Sequence, residues 1–218
     1  MATADAEIEG VSIVLLGSFN PTIFQPAWFA SQGLIAQDLS DSADVGIVHR
    51  QMVAFNAGWF EVQVTDDRFS VSTLTAPSYD LLRDLVLGTF RLLRYTPLRA
   101  MGLNKDVHYR IASEEAWHAI GHKLAPAANW EPVLKQPGMR SLLIEGVRDD
   151  DLPGYIHVKV EPSLRVDPGL YVSVNDHYEV VDPVPAEGAS RVLKILEEQW
   201  TNSQSRFVAL HDWVLGLV

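Results

Sequence analysis

Two runs of alternating apolar and polar residues, separated by a short polar turn, constrain the fold of this chain most strongly. The runs cover residues 59–65 and 68–73, and Asp66-Asp67 joins them. The apolar positions of the two runs are Phe60, Val62 and Val64, then Phe69, Val71 and Thr73. Alternation with period two places such residues on one face of a strand, and two strands joined by a short turn form a hairpin. The pattern therefore predicts a β-hairpin with one buried face.

Similar patterns predict further elements on both sides of this hairpin. Alternating or β-rich runs predict strands over 11–16, 107–111, 141–147, 155–160 and 170–174. Helix patterns with capping residues or Pro at their start predict helices over 26–32, from Ser78 to about Leu93, from Ser113, around 192–200 and over 206–217. We expect loops or turns at 38–44, at 149–151, at Asn175-Asp176 and around Pro183 and Pro185.

These elements predict an α+β fold, with amphipathic helices packed on one face of an antiparallel sheet. Each half of the chain reads as antiparallel strands followed by a helix, so two similar β-β-α halves are expected. We place an N-terminal half at 1–123 and a C-terminal half at 139–218. The segment 124–138 contains three prolines and is expected to connect them. A single compact domain is the alternative.

The composition excludes several classes of function. The 47% of hydrophobic residues is ample for a buried core, and the absence of cysteine excludes disulfides, thiolate zinc sites and cysteine nucleophiles. The formal net charge of −11, from 17 basic and 28 acidic residues, disfavours direct binding to nucleic acid. Residues 1–10 are polar and acidic, unlike a secretory signal, and no apolar run is long enough to span a bilayer. We therefore expect a cytoplasmic protein that does not bind membranes.

The segment Gly17-Ser18-Phe19-Asn20-Pro21 directly follows the first predicted strand. It resembles the opening motif of nucleotidylyltransferases of the nicotinamide-mononucleotide adenylyltransferase type. The resemblance implies a nucleotide site in which Gly17, Ser18 and Asn20 contact the cofactor. However, the next five residues lack the histidine that this family places there. A strand-to-helix turn is the simpler interpretation, and we expect no cofactor.

A second candidate site lies on the helix predicted to begin at Ser113. His118 and His122 are four residues apart and share one helix face, and Glu115 lies three residues before His118. Imidazole and carboxylate groups with this spacing can hold a divalent metal. A further ligand would have to come from elsewhere, with His108 and Asp106 as candidates. The alternative is a partly solvated helix face with no metal.

Two further segments carry a resemblance in layout to a group of sporadically distributed prokaryotic proteins of unknown function. They are the helix at 79–95 with Pro97–Asn104 after it, and the strand at 172–178 before the closing helices. The resemblance covers about the last two-thirds of the chain and includes no motif of known chemical role. It implies a bacterial gene that acts beside other components, as in defence or mobile-element systems.

The leading functional hypothesis is a non-catalytic interaction protein or accessory subunit with a protein partner. An acidic surface favours docking on a basic partner, and mimicry of nucleic acid is a variant of this reading. Homo-oligomerisation stays open, as does the division of the tryptophans between the core and an interface. The alternative is a nucleotide-binding or metal-dependent enzyme that uses the Gly17–Pro21 loop or the His118/His122 face.

Overall fold

A single nine-stranded sheet forms the centre of the computed structural model, which describes residues 4–180 and 187–217. The strands are β1 (Ala4–Gly17), β2 (Asp44–His49), β3 (Met52–Ala57), β4 (Phe60–Thr65), β5 (Arg68–Thr73), β6 (Leu98–Ile111), β7 (Leu142–Val147), β8 (Gly154–Pro162) and β9 (Gly169–Glu179). Their order across the sheet is β2-β3-β4-β5-β1-β6-β9-β8-β7. Every neighbouring pair is antiparallel.

The described residues also form five α-helices. They are α1 (Pro26–Ser31), α2 (Gln37–Asp41), α3 (Tyr79–Leu92), α4 (Glu114–Leu124) and α5 (Ser190–Leu215). Helix α3 contacts β1 and β5, while α5 contacts β6 and β9. Both helices bury an apolar stripe against the core face of the sheet, including Leu82, Val86 and Phe90 of α3 and Leu196 and Trp200 of α5. The predicted α+β class is confirmed.

The predicted hairpin is β4 and β5, and its apolar face is completely buried. Antiparallel sheets commonly cover one face and leave the other to solvent, which requires this alternation. The other face of the central strands carries small and polar side chains, such as Ser12, Asn104 and Asn175, and none of the described helices packs on it.

Strands from both predicted halves belong to one sheet. Strand β1 is followed by α1, α2, the strands β2–β5 and α3, and β6 is followed by α4, the strands β7–β9 and α5. The two long strands β1 and β6 pair at the centre, and β6 also pairs with β9. The segment 124–138 begins at the last residue of α4 and contains a 3-10 turn at Ala127–Asn129.

Several predicted boundaries were wrong. The loop expected at 38–44 contains most of α2 and the first residue of β2. The two closing helices are one continuous helix of 26 residues. Its polar middle stays helical because Ser203 faces the core, where its hydroxyl donates to Asp176 at 2.6 Å. The loop expected around Pro183 and Pro185 lies outside the described residues.

None of the helices in the described part of the chain combines the length and apolar character needed to cross a membrane.

Candidate interaction surface

Backbone N–H groups of the Gly17–Pro21 loop are hydrogen-bonded to other parts of the chain. The N–H groups of Gly17, Ser18 and Phe19 donate to the carbonyl oxygens of Asp67, Pro97 and Asp66 at 3.1, 3.1 and 2.8 Å. A phosphate site at a strand-to-helix loop needs such N–H groups free and a helix N-terminus aimed at the anion. These three amides are occupied, and the α1 helix that follows has only six residues.

Close packing accounts for the glycine of this loop, and a local hydrogen bond accounts for the asparagine. A Cβ at Gly17 would lie 2.3 Å from the carbonyl oxygen of Pro97, so no larger residue fits. The Oδ1 atom of Asn20 accepts a hydrogen bond from the hydroxyl of Thr22 at 2.8 Å. The geometry thus favours a structural turn over a nucleotide site at Gly17, Ser18 and Asn20.

Helix α4 carries the three candidate metal ligands and begins as expected. The Oγ atom of Ser113 accepts a hydrogen bond from the N–H of Ala116 at 3.2 Å. Hydrogen bonds from its own backbone N–H and from Ser113 lower the pKa of Glu115. The indole N–H of Trp117 donates to the carbonyl oxygen of Gly169 at 2.9 Å, which attaches α4 to β9.

Removal of this cap is expected to weaken α4. Ser113→Ala should lower the free energy of unfolding by about 1 kcal/mol, because the N–H of Ala116 loses its partner. Urea unfolding followed by circular dichroism measures the change. Ser42→Ala, at the exposed end of α2, is the matched control and should change stability by less than about 0.5 kcal/mol.

The histidines of α4 share a face, as the spacing predicts. The rings of His118 and His122 lie 6.4 Å apart between centroids and nearly parallel. Among residues 4–180 and 187–217 no three His, Asp or Glu side chains gather so as to hold a metal ion. His108 binds Ser163 at 2.9 Å and Asp106 accepts from Tyr171 at 2.7 Å, on the face of the sheet opposite to α4. The metal site at Glu115, His118 and His122 therefore stays a prediction without a further ligand.

An apolar groove of about 780 Å³ lies beside this helix. The segment 125–141 forms one wall, and Pro162 and Leu164 belong to the other. Residues of the first wall that line the groove include Ala127, Trp130, Leu134, Pro137 and Met139. We call this feature the apolar groove.

The apolar groove exposes large side chains that a stable monomer would normally cover. Trp130 and Leu134 are 52% and 53% exposed, and Leu164 is 98% exposed. Val133, on the same segment, is also exposed. Exposed apolar side chains around one groove, with a tryptophan among them, are typical of a surface that binds another protein.

The His118/His122 face adjoins the apolar groove. A smaller cavity of about 300 Å³ is lined by Trp117, His118 and His122 on one side. Its other wall includes 137–139 and Pro162, which also line the apolar groove. The two histidines therefore border an apolar surface, as interface residues often do.

Strand β7 directly follows the segment that lines the apolar groove, and it forms one edge of the sheet. Leu143 and Ile144 are exposed to more than half, and Val147 almost completely, although their side chains lie on both faces of the strand. Within the described residues β7 pairs with β8 alone, so alternate residues present an unpaired N–H and C=O to solvent. An open edge with apolar side chains is a template for another strand.

The two edges of the sheet differ in regularity. Strand β2 forms the other edge, and its register shifts between Val45 and Ile47, which is a bulge that twists an edge away from a partner. Strand β7 pairs with β8 in an unbroken register over six residues. It carries one charged residue, Glu145, whose carboxylate contacts His157 of β8 at 2.7 Å. Strand β7 therefore lacks the bulge that protects the β2 edge.

A buried ion network anchors the end of β7. Arg148, the next residue, has its side chain 1% exposed and contacts both Asp150 and the completely buried Asp176. Arg206 of α5 also contacts Asp176, and its other nitrogen lies 3.3 Å from Asp150. The Arg148 guanidinium lies 3.7 Å from the centre of the Tyr178 ring. We call these groups the Asp176 network.

The Asp176 network joins the β7–β8 turn to both β9 and α5. Burial opposes ionisation of Asp150, but the hydrogen bond and charge of Arg148 outweigh it and lower the pKa of that carboxyl. Tyr178 and Ser203 hydrogen-bond to the same Asp176 carboxylate. Each group that contacts the Asp176 carboxylate is either a positively charged arginine or a hydroxyl that donates a hydrogen bond. The network therefore holds the end of β7 in one position beside the apolar groove.

Neither the Asp176 network nor the apolar groove was predicted from the sequence. A turn was expected at Asn175-Asp176, but both residues lie inside β9, where Asp176 faces the core. The segment 124–138 was interpreted as a connector because of its prolines. Its signal for a surface was the large apolar residues Trp130, Val133 and Leu134 within that proline-rich stretch.

No protein-family model matches the chain, and none of the curated proteins compared with it is recognisably similar.

Proposed function

We propose that this chain is a non-catalytic interaction subunit that binds a protein partner through the apolar groove. The observation that carries it is the exposure of Trp130, Leu134 and Leu164 around one cavity. Burial of such side chains by a partner contributes most of the binding energy in many protein complexes. We place this assembly in the cytoplasm of a prokaryotic cell, in line with the resemblance in layout described above.

The partner that fits the groove supplies a large apolar side chain. The cavity volume is in the range that takes one or two bulky side chains together with the backbone that bears them. Arg140 and Glu161, one of each sign, also line the groove. A polar rim of mixed charge around an apolar centre is the usual anatomy of a protein interface.

Site-directed photocross-linking in the source cells tests this function. A photoreactive phenylalanine at position 130 should give one dominant adduct, and Leu134→Asp in the same chain should abolish it. Trp130→Ala should weaken binding of the partner identified in this way by roughly 30-fold or more.

Trp213 provides the matched control for this experiment. It is 63% exposed on α5, comparable with Trp130. The photoreactive residue at position 213 should not give the same adduct, and Trp213→Ala should leave partner binding within about two-fold. Equal adducts from both positions, or none from position 130, would rule out the groove as the binding site.

A further inference from the structure

We propose that β7 pairs antiparallel with β7 of a second copy of this chain, centred on Ile144, to form a symmetric dimer. The pairing would join two nine-stranded sheets into one. It is independent of the apolar groove and would hold even if the groove bound nothing.

An extended strand is the occupant that the β7 edge requires. The strand keeps an unbroken register with β8, and its outer N–H and C=O groups have no partner in the described residues. Leu143 and Ile144, on opposite faces of the strand, are 58% and 53% exposed. Addition of a strand satisfies the backbone groups and covers these two side chains in one step.

Symmetry restricts the registers that two copies can adopt. Paired residues in an antiparallel sheet lie on the same face. In a symmetric pair of β7 strands, the two-fold axis must therefore pass midway between one residue and the same residue of the second copy. Centring on Leu143 pairs only residues 142–144 of the strand, whereas centring on Ile144 pairs residues 142–146. Centring on Glu145 also pairs five residues, but it sets two carboxylates opposite each other, which is unfavourable.

The register centred on Ile144 also matches charges across the interface. It places Ile144 opposite itself and Leu143 opposite Glu145 of the second copy. Within one copy Leu143 lies opposite Lys159 of β8. Lys159 and Glu145 of the second copy are then two strand spacings apart, about 10 Å, which long side chains of opposite charge can span in addition to the contacts of Lys159 with Glu161 and of Glu145 with His157 within one copy.

Because the chain contains no cysteine, single cysteines can report the register directly. Purified Ile144→Cys should form an intermolecular disulfide under mild oxidation. Leu143→Cys and Glu145→Cys should each do so poorly alone but should cross-link when mixed. Val48→Cys on β2, which is about as exposed as Ile144, is the matched control and should stay monomeric on denaturing gels.

Introduction of a charge at Ile144, the centre of the proposed strand pairing, gives a second test. Ile144→Lys and Ile144→Glu should each raise the dissociation constant of the dimer by roughly 100-fold or more, because like charges then face each other. An equimolar mixture of the two variants should restore a dimer in sedimentation velocity. Trp130→Ala should leave the dimer unchanged, which separates this result from the function of the groove.

Three results would overturn the dimer. They are a wild-type chain that sediments as a monomer at about 50 µM, where mass action favours association, a dimer that survives in both charged variants, and cross-linking at position 48 in place of position 144. The last result would assign the association to the β2 edge.

Discussion

Asp176→Asn is expected to lower the free energy of unfolding by about 3–5 kcal/mol, because it removes the buried carboxylate that faces both buried Arg148 and partly buried Arg206 and leaves them only Asp150 in common. The carboxylate of Asp176 is completely buried and also accepts hydrogen bonds from Tyr178 and Ser203. Urea unfolding at neutral pH measures the loss. A change smaller than about 1 kcal/mol would show that the network does not hold this part of the fold together.

Two further variants test whether the unpaired charge causes the destabilisation expected for Asp176→Asn. Asp149→Asn removes a carboxylate that lies 3.2 Å from Arg206 at the edge of this network, but the side chain is 86% exposed, so the expected change is below about 0.5 kcal/mol. The double variant Arg148→Met with Asp176→Leu should be less destabilised than Asp176→Leu alone, since one buried charge is removed together with its partner. Equal losses in the single and double variants would contradict this explanation.

Acidification is expected to destabilise the protein through His211 on α5. Burial, together with the charge of Lys105, lowers the pKa of His211 from 6.5 to about 4. The unfolded chain therefore binds a proton between these values while the folded chain does not. The contribution of neutral His211 to the free energy of unfolding is fully present above pH 6.5 and is lost as the pH decreases toward 4. The contribution lost between pH 7.5 and 4 is about 3 kcal/mol.

His211→Asn isolates this contribution, because asparagine does not titrate and can still hydrogen-bond to Tyr109. The Nδ1 atom of His211 lies 2.9 Å from the hydroxyl of Tyr109. Free energies of unfolding of both proteins at intervals between pH 7.5 and 4 should give a shallower dependence for the variant. Parallel curves would show that His211 is not responsible.

The local sequence pattern was sufficient to predict elements in which buried and exposed positions alternate regularly along the chain. The β4–β5 hairpin was predicted because its alternation reports burial on one face. Helix α4 was predicted from Ser113 and the two acidic residues after it, and α3 from its apolar spacing. In each of these cases the residues that determine the structure are neighbours in sequence.

Elements that depend on distant partners were predicted less well. Strand β6 is longer than its pattern indicated, because β1 and β9 pair with it along most of its length. Helix α5 continues through a polar segment because Ser203 reaches Asp176, 27 residues away in sequence. The candidate sites illustrate the same limit, since spacing predicted that His118 and His122 share a face but could not show which groups approach them.

The sequence by itself determined the α+β class, the buried face of the hairpin and the exclusion of cysteine chemistry, since alternation and composition act locally or as totals. The tertiary structure decided that Asp176 faces the core among two arginines and that segment 125–141 borders a groove. It also decided that β7 is a regular, open edge. These features arise when residues far apart in sequence are brought together, and the free energy of a buried charge or an exposed tryptophan depends on those neighbours.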